Sequence, residues 1–483
     1  MVIAKDERQG YAPWLILTLL VFIGLIPRII DIINSSGIEL DGVFYALAAE
    51  HFSRGEFREA LNNVFPPLYP FLFGLSHLFI GDLEFAGRFT SIFVGILLIL
   101  LCYFSIKKMY GERYGLYMAF FVAIHPYLVR FSAQVLSEST AIFIFTLSIF
   151  LFYWGWTEEK IFYIALSGIC LGLTYLTRPE YIVYPAPLSL VLLFRKRFKG
   201  LFVFLICFFI VAFPYIIYLK SDTGLWVISK KAILAKQQET LTHSMHSYLF
   251  PVLPFLNIFK NIPSVVYHFF EAVFPPYIIL CLFGITGVDR RFRIIALLLF
   301  LFHVLTISFI TSSTRRFSVE FIPITLVFCV CGLAKIEKYL ERFRRRYLVF
   351  FVIIFVVLAS SVYQGIISQD SGRILNKKAG LFMKTYDPGK KIASRIPLVP
   401  FYSKGEWVNI VEEIKAAKDC NGLMDTLKKM GVKYIVVDEV LTKYAKEKSI
   451  DMEARGCVIE MPCVANFKNP DEFVRILRLQ DGR

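Results

Sequence analysis

The stretch Leu201-Phe202-Val203-Phe204-Leu205-Ile206-Cys207-Phe208-Phe209-Ile210-Val211-Ala212-Phe213-Pro214-Tyr215-Ile216-Ile217-Tyr218-Leu219 contains no charge, and Arg195-Lys196-Arg197 and Lys199 stand just before it. Coiled as a helix at ~1.5 Å per residue, it is roughly as long as the ~30 Å hydrocarbon core of a bilayer is thick. A basic flank on one side and an apolar run of that length describe a membrane span with a cytoplasmic start.

Similar runs recur along the chain at Pro13–Ile33, Glu84–Lys108, Gly115–Val129, Val135–Trp156, Ile161–Thr177, Tyr181–Phe194, Ala272–Val288, Ile294–Ile310, Phe317–Leu333 and Tyr347–Ile366. The total is about eleven spans. No small-residue cleavage site follows Pro13–Ile33, so it reads as a retained span and not as a signal peptide. Composition agrees: 57% of the 483 residues are hydrophobic, 49 are Phe, and the mean hydropathy is +0.60, beyond what soluble cores require. The predicted fold class is an all-α polytopic membrane bundle with a small C-terminal α/β domain. Residues 1–370 would form the transmembrane domain, and residues 371–483 a small soluble domain.

Lys and Arg collect in short loops that do not cross the membrane. Lys5 and Arg8, then Lys107, Lys108 and Arg113, then Arg195–Lys199, then Arg290, Arg291 and Arg293, then Lys335–Arg346 all fall on one side if the spans alternate. The N-terminus is then cytoplasmic and the tail beyond Ser368 outside. The net charge of +15 is largely an orientation device suited to anionic membrane lipids, so nucleic acid is not an expected partner.

That sidedness gives the outer face nearly all the non-trivial polar sequence: Asn34–Leu83, the turns near Arg130 and Arg178, the long loop Lys220–Glu271, Thr311–Arg316 and the tail. In the first outer loop, Val43–Phe52 has apolar residues at helical intervals and ends at Gly55, as a surface helix would. Pro66-Pro67 turns the chain, and Leu68–Ile80 is apolar but too short to span comfortably. The tail reads as α/β from helical Val408–Lys418 and Leu423–Met430 and the strand Lys433–Asp438, with Lys391–Phe401 ahead of them. Six cysteines lie in apolar runs as small hydrophobes. Cys420, Cys457 and Cys463 lie in the tail, where a Cys457–Cys463 bridge is plausible and no metal spacing appears.

Glu39 and Asp41 head the first surface helix, where a solvated helix start also favours acids. Glu39–Asp41, Tyr45-Ala46, Gly55, Pro66-Pro67-Leu68-Tyr69-Pro70 and Arg88 in Phe85-Ala86-Gly87-Arg88 together resemble the integral-membrane glycosyltransferases of the C-type fold. Within that superfamily the likeness is to the protein O-mannosyltransferases and the lipid A aminoarabinose transferases. His125-Pro126-Tyr127 with Ser137-Glu138, Leu173–Glu180, and Arg315-Arg316-Phe317 with Pro323 resemble later motifs of the same superfamily, in the same order over roughly residues 10–370. Two positions depart from the pattern. Glu39-Leu40-Asp41 replaces a paired Asp-Glu, and Phe65 precedes Pro66 where several relatives carry a basic residue.

The resemblance implies a sugar donor linked through one phosphate to a polyprenyl lipid, and inverting transfer to a lipid, glycan or protein acceptor at the outer face. Such a reaction needs a base, cations for the leaving phosphate and an apolar groove for the lipid. Asp41 is the expected base. Glu39 and Glu138 could position the acceptor or share a divalent cation with Asp41, the one metal or cofactor candidate; Glu138 equally suits a helix start. For the phosphate the candidates are Arg316, Arg315, Arg178, Arg88 and Arg130, whose forked guanidinium suits phosphate oxygens but which could also snorkel to headgroups. The loop Lys220–Glu271 reads as a lid, and its His243 and His246 read as solvated. A transporter or lipid flippase would share the helical bundle, but His303 is the main midplane ionisable group. A polysaccharide polymerase or ligase stays open as a further alternative.

Overall fold

The computed structural model describes residues 12–34, 37–231, 253–309, 314–341, 346–367, 371–417, 419–447, 461–469 and 472–479. The chain divides into two compact units. The first comprises Met1–Ile33 and Tyr45–Ile367, the second Asn34–Phe44 and Ser368–Arg483.

The first unit is helical: α1 (Ala12–Asn34), most of α2 (Leu40–Ser53), α3 (Phe57–Leu61), α4 (Leu68–His77), α5 (Leu83–Tyr110), α6 (Glu112–Ile124), α7 (Pro126–Ala133), α8 (Glu138–Thr157), α9 (Ile161–Tyr175), α10 (Pro185–Phe194), α11 (Phe198–Thr223), α12 (Leu253–Val273), α13 (Pro275–Gly284), α14 (Arg290–Ser308), α15 (Ile322–Leu340) and α16 (Arg346–Ile367). Among the described residues, six helices are long and apolar enough to cross a membrane, or eight if each of two bent pairs is one span.

Those two bends depart from the straight spans expected at Gly115–Val129 and Ala272–Val288. α6 and α7 meet at 58°, and α12 and α13 at 92°. Each break precedes a proline, Pro126 or Pro275, which lacks an N–H and pushes the residue before it out of the helical region. His125 is extended (ψ 124°), and Phe274 takes a left-handed φ of 71°.

Local signals set the other ends. Asp82 caps α5 by accepting a hydrogen bond from Phe85 N at 2.8 Å, and Gly111, at φ +100°, ends it. α9 and α11 approach closely because Gly168 and Gly172 face Phe204 O, Phe208 O and Val211; a Cβ on Gly168 would lie 2.4 Å from Phe204 O. α13 and α15 meet still more tightly, since a Cβ on Gly284 would lie 1.8 Å from Phe328 O and one on Gly332 2.0 Å from Leu280 O. In lipid, where apolar burial does not draw helices together, such small-residue faces permit the close van der Waals packing that does. Inside α1, Arg28 is fully buried, its Nε donating to Ser132 Oγ at 2.7 Å and its Nη1 to Ala123 O at 3.0 Å.

The basic loops meet at one end of this unit. Lys108 pairs with Glu158 at 2.6 Å, Arg197 pairs with Glu159, Arg291 donates to Thr157 O at 3.3 Å, and Arg113 pairs with Glu337. The expected grouping of these loops has this geometric counterpart. Lys5 and Arg8 lie outside the described residues.

The second unit is α/β. It adds α17 (Ser371–Tyr386), β1 (Ile392–Ser394), α18 (Leu398–Ser403), β2 (Trp407–Asn409), α19 (Ile410–Ala416), α20 (Cys420–Lys429), β3 (Tyr434–Asp438), α21 (Glu439–Glu447), β4 (Cys463–Lys468) and β5 (Phe473–Arg478). The sheet order is β2-β1-β3-β5-β4; β1 pairs in parallel with β2 and β3, while β5 pairs antiparallel with β3 and β4. β3 is buried throughout, as its Tyr-Ile-Val-Val run suggests for a central strand. Ile435 and Val437 join a core with Ile414, Leu427 and Leu441; Tyr434 and Val436 join another with Ala379, Met383 and Ile476. That alternation is the two-residue period of a strand covered on both faces. Asn34–Phe44 is tied into this unit by Ile38 N donating to Tyr402 Oη at 2.9 Å and by Glu39 pairing with Arg373 at 3.2 Å.

The expected Cys457–Cys463 bridge does not form: Cys463 is an exposed free thiol, and Cys420 is disulfide-bonded. Cys463 opens an exposed β-strand whose direction is fixed by pairing with β5, so proximity in sequence to residue 457 did not decide the partner.

Candidate active site

The helical unit gathers three of the expected charged residues at one point. Ser137-Glu138 begins α8, Arg178 ends the turn after α9, and Arg316 lies in a 3-10 turn, Arg315–Phe317, between α14 and α15. Glu138 is 1% exposed. Its Oε1 accepts from Arg178 Nη1 at 2.6 Å and from Arg316 Nε. Arg178 is held a second time by Glu180, at 2.6 Å from its Nε. Burial works against the charge on Arg178, but Glu180 and Glu138 outweigh it and raise its pKa well above the ordinary guanidinium value. Arg316 keeps 35% of its side chain exposed. Oxygen Oε2 of Glu138 is buried without a hydrogen-bond partner among the described residues.

Glu138 therefore cements two guanidiniums. A carboxylate so placed is a poor base, and a metal cation there would meet two positive charges at close range. Among the described residues no three His, Cys, Asp or Glu side chains gather as metal ligands.

Arg315 turns another way. Its Nη1 donates to Glu271 at 2.7 Å and its guanidinium lies 5.2 Å from the centre of the Tyr127 ring. Burial opposes its charge, and the bond to Glu271 more than compensates, raising its pKa. Arg88 is buried, paired with Glu84 at 2.8 Å and donating to Ala133 O at 2.9 Å, which assigns it to holding α5 against the α7 end. Arg130 is half-buried on α7.

Glu39 and Asp41 belong to the second unit. Glu39 O accepts from Val43 N at 3.1 Å, which makes Glu39 the residue flanking the start of α2 and puts half-buried Asp41 in its first turn. The carboxylate of Glu39 is engaged by Arg373. His243 and His246 lie outside the described residues, with the middle of the expected lid.

Several pairings escaped the sequence reading. Tyr184 donates to Glu320 at 2.9 Å, so the 2.9 Å bond from His303 Nδ1 runs toward Tyr184 Oη, and His303 Nε2 accepts from Ser318 at 3.0 Å. This buried chain of side chains joins the segment after Arg178 to the segment after Arg316 and fixes the two arginine turns relative to each other. Its members are scattered over more than a hundred positions, and only a fold brings them together. Lys231 stands 4.4 Å over the ring of Phe65, which puts a cation beside the position where the Pro-Pro turn lacks a basic residue. Tyr45 Oη meets Ser137 Oγ at 2.9 Å, linking the Tyr45-Ala46 motif to the one at Glu138.

Residues 65–218 match the family model described as dolichyl-phosphate-mannose-protein mannosyltransferase. The apo structure of ArnT from Cupriavidus metallidurans matches with a TM-score of 0.63 at 12% identity, over 97% of this chain and 98% of that one. Its complex with undecaprenyl phosphate gives 0.61 at 11%, over 97% and 98%. The archaeal oligosaccharyltransferase AglB from Archaeoglobus fulgidus, in complex with an inhibitory peptide and a dolichol-phosphate, gives 0.56 at 14%, over 89% and 69%. No curated protein sequence matches the chain. The fold is that of the C-type membrane glycosyltransferases, and the chain is an integral membrane protein.

Proposed function

We propose that this chain, built on the C-type glycosyltransferase fold, transfers a sugar from a polyprenyl-phosphate carrier to an acceptor at the outer membrane face. The observation that carries the reading is the buried Glu138 carboxylate binding Arg178 and Arg316 together. The bound lipid phosphates named for the ArnT and AglB structures support the same donor class here.

The chemistry asks for such an arrangement. The donor phosphate, esterified to both sugar and lipid, carries one negative charge. An acceptor hydroxyl oxygen attacks the anomeric carbon, the bond from that carbon to the phosphate oxygen breaks, and polyprenyl phosphate leaves with the electron pair and a second negative charge. Preset guanidiniums gain attraction as that charge develops, so they stabilise the transition state more than the bound donor. Arg316 faces the leaving phosphate, Arg178 backs it, and Glu138 holds the two so that neither must reorganise. Asp41 accepts the proton of the attacking hydroxyl, and attack opposite the leaving group inverts the anomeric centre. The α/β unit lies at the outer face and meets the acceptor.

The test is to incubate the purified chain with a panel of polyprenyl-phosphate sugars and follow release of the free lipid phosphate. Asp41→Asn keeps the size and helix-start preference of the residue but removes the basic oxygen, and turnover should fall on the order of 100-fold with donor binding intact. Full turnover by a folded Asp41→Asn protein would remove Asp41 from the mechanism; no release from any donor by the unaltered chain would overturn the reading.

A further inference from the structure

The end of the helical unit that carries the basic loops holds a feature that sugar transfer does not use. A cleft of about 500 Å³ opens there between α8, α9, α10 and α11, with Lys196, Arg197 and Lys199 in its lining. Glu159 also lines it and pairs with Arg197, which leaves two positive charges in excess. Two residues of the cleft, Glu159 and Lys196, take left-handed φ values of 60° and 53°, a conformation that side-chain-bearing residues seldom adopt. Lys196 and Lys199 are exposed.

Farther along α11 lies an apolar groove lined by Phe202, Leu205, Ile206, Phe209, Ile210, Phe213 and Pro214. Phe202, Ile206, Ile210 and Phe213 follow Lys199 of the cleft at helical spacing, so this lysine heads one stripe of α11 with the groove. From residue 202 to residue 214 the helix rises roughly 18 Å, close to one leaflet, about half of a ~30 Å hydrocarbon core. Aromatic and cationic side chains mark the depth of the cleft. Arg195 lies 5.4 Å from the Trp156 ring centre, Lys108 4.4 Å from that of Trp154, and Lys160 5.7 Å from that of Tyr163. Such belts sit at headgroup level. Basic clefts between spans at that depth suit anionic headgroups.

We infer that this stripe is a binding site for one anionic phospholipid of the leaflet at the basic end, its phosphate among Lys196, Arg197 and Lys199 and one acyl chain along Phe202–Phe213. By the loop charges that leaflet is the cytoplasmic one. The site lies at the opposite end of α9 from Arg178 and does not depend on the sugar-transfer reading.

Native mass spectrometry of the full chain in neutral detergent tests it, with phosphatidylglycerol and phosphatidylcholine of identical acyl chains added in turn. The unaltered chain should retain one phosphatidylglycerol on the order of tenfold more tightly than phosphatidylcholine. Lys196→Asn with Lys199→Gln should abolish that preference. Separately, Phe202→Ala with Ile206→Ala, at exposed positions that folding does not need, should weaken retention of both lipids. Equal retention of the two lipids by the unaltered chain would mean an ordinary lipid shell and overturn the site. So would an undiminished preference in the lysine variant, or displacement of phosphatidylglycerol by millimolar inorganic phosphate alone, which would mark a soluble-anion site.

Discussion

The two ends of α9 carry cations in opposite ways. Near its C-terminal end, Arg178 is 12% exposed and tied to two carboxylates, one of which also binds Arg316. Beyond its other end, Lys196 and Lys199 are exposed, and Lys108 pairs with Glu158 from a side chain that is 44% exposed. The same kind of charge does different work in the two places. Buried and paired, it becomes geometry, because breaking a partner leaves an uncompensated charge out of water. Exposed, it stays a mobile attraction that sets sidedness and draws anions, at little gain in stability.

The contrast fails if the buried carboxylate proves dispensable. Glu138→Gln removes the charge that offsets two guanidiniums, so unfolding free energy in mixed micelles should fall by about 3–5 kcal/mol, with lipid-phosphate release lost as well. An unchanged midpoint would show that water or lipid phosphate already neutralises the arginines. Arg316→Lys keeps the charge but not the fork. Donor use should weaken on the order of tenfold, in line with ~1.5–3 kcal/mol for a hydrogen bond to a charged group. Normal donor affinity would return Arg316 to a headgroup-facing role.

The α/β unit offers a milder case. Hydrogen bonds from Lys433 and Tyr434, each 2.7 Å from Asp387 Oδ2, hold its carboxyl below the ordinary value. A depressed carboxyl contributes stability that is present above its unfolded value and lost as pH falls through the folded one. The thermal midpoint of this unit should thus drop on acidification below the usual carboxylate range, and Asp387→Asn should flatten that drop. A parallel acid response in the variant would exclude Asp387 as its source. The smallest effect belongs to the exposed pair: Lys108→Gln should change stability by about 0–1 kcal/mol, measured by the same micelle unfolding.

Much of the helical architecture was legible because a bilayer demands long uncharged runs and basic loops, and both survive as plain letters in the chain. The bends before Pro126 and Pro275 were written in the sequence too, but two short helices at 58° or 92° sum to the same hydropathy as one straight one. In the α/β unit the Tyr-Ile-Val-Val run of β3 was readable, whereas the edge strand β4, only partly covered, carries no strong pattern. At the site, residue type pointed to Arg178 and Arg316 as phosphate candidates and singled out Glu138, yet not to the pairing among the three. That Glu138 binds the arginines, and that Arg88 is taken up by Glu84, are facts of three-dimensional pairing. The chain from Tyr184 through His303 to Ser318 was invisible for the same reason.

The near-touching backbones at Gly284 and Gly332 set the pitch of a lever. Ten residues separate Gly332 from Ile322, where α15 begins after the Arg316 turn and a second 3-10 turn, Val319–Phe321, so the pivot lies roughly 15 Å along the helix from its arginine end. A methyl group at either glycine would wedge the two helices apart at the pivot and swing the arginine end by tilt alone. The aim of the guanidinium is thus set partly by the absence of two methyl-sized side chains between α13 and α15.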